Sequence, residues 1–111
     1  MLIAAVVLFL LAAVCGLVIL TAILQDRAPH HKALILHGSF AIVAIAIMAG
    51  YYIKFGGPHL LKISLILFVF AALGGLSLFL LGRKKPLPKW MVLVHPLVAV
   101  AAIITLLMCI L

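Results

Sequence analysis

Acidic residues are nearly missing from this sequence. A single aspartate, Asp26, stands against eight lysines and arginines, and it lies outside every apolar stretch. Charge of either sign is scarce, at 8% of 111 residues, while 70% are hydrophobic; a soluble domain averages about 25% charged and roughly 45–50% apolar. That balance excludes a soluble globular domain, and the length leaves no room for a separate soluble catalytic module. In a soluble chain a net charge of +7 would suggest nucleic acid. Here the basic residues flank apolar segments, so orientation and lipid contact explain them and a nucleic-acid partner is excluded. Cysteine is limited to Cys15 and Cys109, with no C-x-x-C pair. The first falls near mid-bilayer depth and the second near a membrane surface, which argues against a disulfide; both read as small apolar residues. Met1 runs directly into an apolar stretch without a basic leader or an A-x-A site, so the first segment reads as a retained span rather than a signal peptide.

What the sequence has in quantity is long apolar runs. Four stand out, at about 2–24, 33–53, 59–81 and 89–111. Each holds enough residues to cross a hydrocarbon core of about 30 Å at about 1.5 Å per residue. Backbone groups in lipid must be paired within the segment, so each run is expected to be helical. Short, Pro- and Gly-containing connections at 25–32, 54–58 and 82–88 make successive helices antiparallel neighbours. The expected architecture is an all-α membrane protein, a single transmembrane domain over 1–111 folded as an up-down-up-down four-helix transmembrane bundle. Arg27, Lys32, Arg83, Lys84, Lys85 and Lys89 lie at one side, against Lys54 and Lys62 at the other. That asymmetry places loops 25–32 and 82–88 in the cytoplasm and both termini outside. Trp90, Tyr51 and Tyr52 read as interfacial aromatics.

The chain also repeats itself. Leu8 to Leu17 and Leu67 to Leu76 share the pattern L-F-x-x-A-A-x-x-G-L, which aligns Gly16 with Gly75. A second pattern, H-x3-A-x2-A, occurs at His37-Ala41-Ala44 and at His95-Ala99-Ala102, one residue out of step with the first. Residues 1–53 and 59–111 therefore read as two copies of one helix hairpin, related by a pseudo-twofold axis along the membrane normal. Such an axis sets helices two and four on opposite corners of the bundle, with His37 and His95 at one depth and facing inward.

An ionisable side chain inside a membrane span marks a functional site by default. Neighbouring helix axes lie about 8–10 Å apart, so a bundle diagonal measures about 11–14 Å. That separation suits two imidazoles on the axial positions of one haem iron. It is too wide for two histidines to share a small ion, and no Asp, Glu or Cys at that depth completes a tetrahedral zinc site. Ala41, Ala44, Ala99 and Ala102 leave space below each histidine, while Gly16 and Gly75 would let helices one and three approach a flat porphyrin. Arg27, Lys32, Arg83 or Lys89 would pair with its propionates. Pro96 should bend helix four beside His95. A blander alternative stands beside this one. Glycine and alanine at helix contacts are ordinary membrane packing, and a membrane histidine often bonds a neighbouring carbonyl or hydroxyl, with Ser39, Ser77 and Thr21 as candidates. His30 and His31 read as solvated loop residues. His59 has no counterpart with which to form a second haem site.

Four helices, repeated pairs and inward histidines near helix starts, carried by His37-Gly38 and His95-Pro96 with their alanines, resemble the cytochrome b561-like membrane cytochromes b. The resemblance implies a four-helix haem bundle that passes electrons between membrane carriers. The family pattern has two histidine pairs, one near each face; this sequence holds only the pair on the side of loops 25–32 and 82–88. The expectation is thus a one-haem b-type cytochrome, a redox carrier rather than a stand-alone enzyme, binding one haem b through iron ligands His37 and His95. A membrane quinone or a redox protein would complete the electron route, and a homo- or hetero-oligomer is left open. The competing expectations are a cofactor-free structural or assembly subunit of a larger membrane complex and, less favoured, a small histidine-dependent transporter. Four-helix drug exporters are a poor match because their transport chemistry needs a carboxylate inside the membrane.

Overall fold

A computed structural model describes residues 2–25, 31–82 and 89–110. The protein is all-α. Helix α1 covers Leu2–Leu24, α2 His31–Phe55, α3 His59–Gly82 and α4 Lys89–Ile110. Each helix contains a stretch long and apolar enough to cross a membrane, so the chain is a multi-pass membrane protein. Helix α2 extends beyond the expected 33–53 span at both ends. His31 and Lys32 form its first turn and Lys54 and Phe55 its last, so His31 is an exposed helical residue and not part of a loop. Hydropathy marks where the bilayer ends, whereas helical hydrogen bonding continues into the polar interface. His30, Arg27 and residues 83–88 lie outside the described residues.

The chain divides into two compact units, Met1–Gly56 and Gly57–Leu111. Each is a pair of antiparallel helices, α1 with α2 and α3 with α4. The boundary is built from glycine. Gly56 has φ of +69° and its N–H donates to the Tyr52 carbonyl at 2.8 Å, a left-handed cap that ends α2. Gly57 follows with φ of +157°. A Cβ there would stand 2.6 Å from Leu61 Cδ2. Pro58 then starts the next helix, its carbonyl accepting from the Leu61 N–H at 3.0 Å.

In the first hairpin Ala5, Phe9, Ala12, Ala44 and Met48 are buried; in the second, Leu61, Ser64, Phe68, Ala71, Ala102 and Leu106 are. The two sets correspond. Ala5, Phe9 and Ala12 match Ser64, Phe68 and Ala71 at an offset of 59, whereas Ala44 and Met48 match Ala102 and Leu106 at 58. Within each helix these positions step by three or four, one face of an α-helix. The H-x3-A-x2-A strip therefore continues to Met48 and Leu106 and forms one side of each hairpin seam. In lipid no hydrophobic force presses helices together, so close contact through small residues has to supply the attraction. Ala44 and Ala102 are fully buried. They pack the two helices of their own hairpin.

Ser64 is the buried polar residue of the second seam, and its hydroxyl donates to the Ala102 carbonyl across the hairpin at 2.9 Å. The matching position of the first hairpin is Ala5, so the space accepts alanine. Ser64→Ala should destabilise the protein by about 0.6 kcal/mol, the usual worth of an interhelical side-chain bond in a membrane. Ser64→Leu should cost about 1–3 kcal/mol through overpacking. Unfolding titrations in mixed micelles measure both; a loss for alanine as large as that for leucine would contradict this account of the seam.

Candidate functional site

His37 lies six residues after His31, the first residue of α2, or about 9 Å along the helix. His95 lies six residues after Lys89, the first residue of α4. Both rings are half-buried. Each turns toward a glycine of the other helix in its own hairpin. A Cβ added to Gly16 would meet His37 Cε1 at 3.1 Å and Nδ1 at 3.3 Å. One added to Gly75 would meet His95 Cε1 at 2.9 Å and Nε2 at 3.3 Å. The structure thus brings together Gly16 with His37 and Gly75 with His95. These glycines were expected to admit a porphyrin; what each accommodates here is the imidazole of its own hairpin.

His37 Nδ1 lies 2.7 Å from the backbone oxygen of Ala12. A carbonyl can only accept, so in this contact Nδ1 is the donor. A short bond of this kind fixes ring orientation, and it is the outer partner that metal-ligating histidines commonly use. This partner is a backbone carbonyl. The Thr21 and Ser77 hydroxyls donate within their own helices, to the Leu17 carbonyl at 2.8 Å and the Leu73 carbonyl at 2.9 Å. Ala12 was thus missed as a site residue, although its place four residues before Gly16 was a usable signal.

Around His95 the second hairpin opens a groove of about 280 Å³. Phe70, Gly74, Ser77, Trp90 and Val98 help to line it. Gly74 has open space where its Cβ would be, and His95 Nδ1 is shielded from the surface. The groove is open to the surface of the hairpin and mostly apolar. Helix α4 continues through Pro96 to Ile110.

Of the other residues considered for the site, Ala41 and Ala99 are half-buried. Lys32 is exposed in the first turn of α2, and Lys89 is the first residue of α4. Arg27 and Arg83 lie outside the described residues. His59 begins α3 and is exposed. Cys15 and Cys109 are free thiols. Among the described residues no three His, Cys, Asp or Glu side chains gather in one place. A metal held by three or more protein ligands is therefore not built from these residues. No family model, curated protein or solved structure matches the chain.

The two neighbouring glycines of α3 separate packing from propensity. Gly74→Ala meets nothing and should stabilise the helix by about 0.5–1 kcal/mol, whereas Gly75→Ala must push the His95 ring aside and should lose that gain. Unfolding midpoints of the two variants compared with wild type give the sign of each effect; equal stabilisation by both would show that His95 does not need the glycine.

Proposed function

We propose that this protein is a membrane b-type cytochrome in which His37 and His95 are the axial ligands of one haem b. The observation that carries the reading is the repeated seat. Each hairpin holds one imidazole inside an apolar membrane span, against a glycine, at the same distance from its helix start. A polar ring placed in lipid twice in equivalent positions is costly unless it is used. Support comes from the donor chemistry of two half-buried imidazoles, one bonded at Nδ1 to a backbone carbonyl, and from an apolar groove beside the other. Closing the two hairpins into one four-helix bundle belongs to this proposal. So does the resemblance to the cytochrome b561-like family.

When bound, such a haem would supply a one-electron ferric–ferrous couple for electron transfer, held through His37 and His95. The chain's own residues hold and orient the imidazoles, exclude water through the apolar seams, and set local charge through the basic ends. In this reading Lys32 and Lys89, in the first turns of α2 and α4, would be the cations that pair with the propionates. The physiological partner in this reading is a membrane quinone or a redox protein. The basic asymmetry between the two sides puts loops 25–32 and 82–88 in the cytoplasm.

The second reading, a cofactor-free structural subunit, is favoured by the His37–Ala12 bond, which satisfies one ring nitrogen within the hairpin, and by the complete burial of Ala44 and Ala102. A reduced-minus-oxidised visible spectrum of the purified protein separates the two. The cytochrome reading expects b-type bands that disappear in both His37→Ala and His95→Ala; colourless wild-type protein, or bands unchanged in either variant, rejects it. For orientation, Cys15→Ala and Cys109→Ala give a background in which a cysteine at the exposed position 59 (His59→Cys) should react with an impermeant thiol reagent from outside intact cells, and Lys84→Cys should not. The reverse labelling would overturn the assignment of sides.

A further inference from the structure

We infer that Gly16 is a positioning residue for His37. It exposes the Ala12 carbonyl to the imidazole, so that the protein itself selects the Nδ1–H tautomer and presents Nε2 for coordination. The Nε2 role rests on the cytochrome reading; the tautomer does not.

The geometry comes from the helix. A Cα–Cβ bond tilts toward the helix N-terminus, so a side chain at position 16 stands beside the carbonyl four residues earlier, that of Ala12. With glycine there, the flank of this carbonyl is bare. Its oxygen has two lone pairs. One faces the N–H of residue 16 along the helix, and the other is reached sideways by His37 Nδ1 at 2.7 Å. A methyl group at position 16 would lie 3.1 Å from Cε1 and 3.3 Å from Nδ1. The ring would retreat by a few tenths of an ångström and the bond would lengthen. A branched side chain would end it. An imidazole in water prefers its proton on Nε2, so an Nδ1–H ring is a mark of this contact. Donation to a carbonyl also makes the far nitrogen a stronger electron donor to a metal. Gly50, in the same hairpin, has nothing within reach of an added Cβ and serves as a control.

The test uses the full chain, haem-free, in lipid bicelles with nitrogen-labelled histidine. Long-range proton–nitrogen correlations report the tautomer of each ring, and His37→Gln identifies the His37 signals. The expected result is an Nδ1–H ring at His37 that weakens in Gly16→Ala, reverts toward Nε2–H in Gly16→Val, and is unchanged in Gly50→Ala. An Nε2–H ring in wild type overturns the inference even if the Gly16 variants fail to fold, and so does a signal indifferent to Gly16→Val. Haem titration then addresses coordination. Gly16→Val, in which the bond is gone, should lower haem affinity roughly 10–100-fold, as loss of an outer-shell partner does, and raise the midpoint potential because His37 donates less strongly; Gly16→Ala should move both in the same direction by less. Wild type that takes up no haem sinks the cytochrome reading and leaves the tautomer result standing. Wild type and Gly16→Val with equal affinity and equal potential overturn the positioning role.

Discussion

A polar ring immersed in lipid needs a prepared place, and the contact between imidazole and glycine supplies it in each hairpin. Each ring is half-buried and turned toward the neighbouring helix of its own hairpin, and for His37 that helix supplies a bonding partner, the Ala12 carbonyl. A helical carbonyl is normally screened by the side chain four residues on; removing that side chain at Gly16 gives the ring both the room and the acceptor. The approach of α1 to α2 is set by this contact together with the buried alanines below it, and the seam from Phe9 to Met48 follows from the spacing so imposed.

The same logic explains why so little of each helix is buried. Only 11–17% of each apolar span is covered. The uncovered remainder, rich in leucine, isoleucine and valine, is what a lipid-exposed or helix-exposed surface requires, and it would be an aggregation hazard in water. Cohesion within a hairpin comes from close packing of small residues and from a few polar bonds such as Ser64 to Ala102, since lipid tails are as apolar as the side chains they would replace. Each such bond contributes modestly.

Much of the architecture was legible from composition and spacing. Four apolar runs separated by Pro- and Gly-containing breaks could only be four helices, because unpaired backbone is not tolerated in hydrocarbon. The helix ends were less legible, since α2 carries His31, Lys32 and Lys54 beyond the apolar limit and hydropathy is blind to helical hydrogen bonds. The histidines stood out because ionisable groups are rare in such runs. The role of their alanines did not. A strip at helical spacing beside a histidine reads equally as a cofactor slot or as a seam, and only burial showed Ala44 and Ala102 to be seam.

By itself, the sequence determined the class: a basic, acid-poor, all-helical membrane chain with two equivalent histidine-bearing hairpins. Those properties depend on residue type and period, which are local and one-dimensional. The tertiary structure decided which atoms meet. That His37 bonds a carbonyl of Ala12, that Gly16 and Gly75 accommodate imidazoles, and that the Thr21 and Ser77 hydroxyls turn back on their own helices all depend on the rotation and height of one helix against its neighbour. Those two quantities are fixed by packing across the seam, and no pattern along a single segment encodes them.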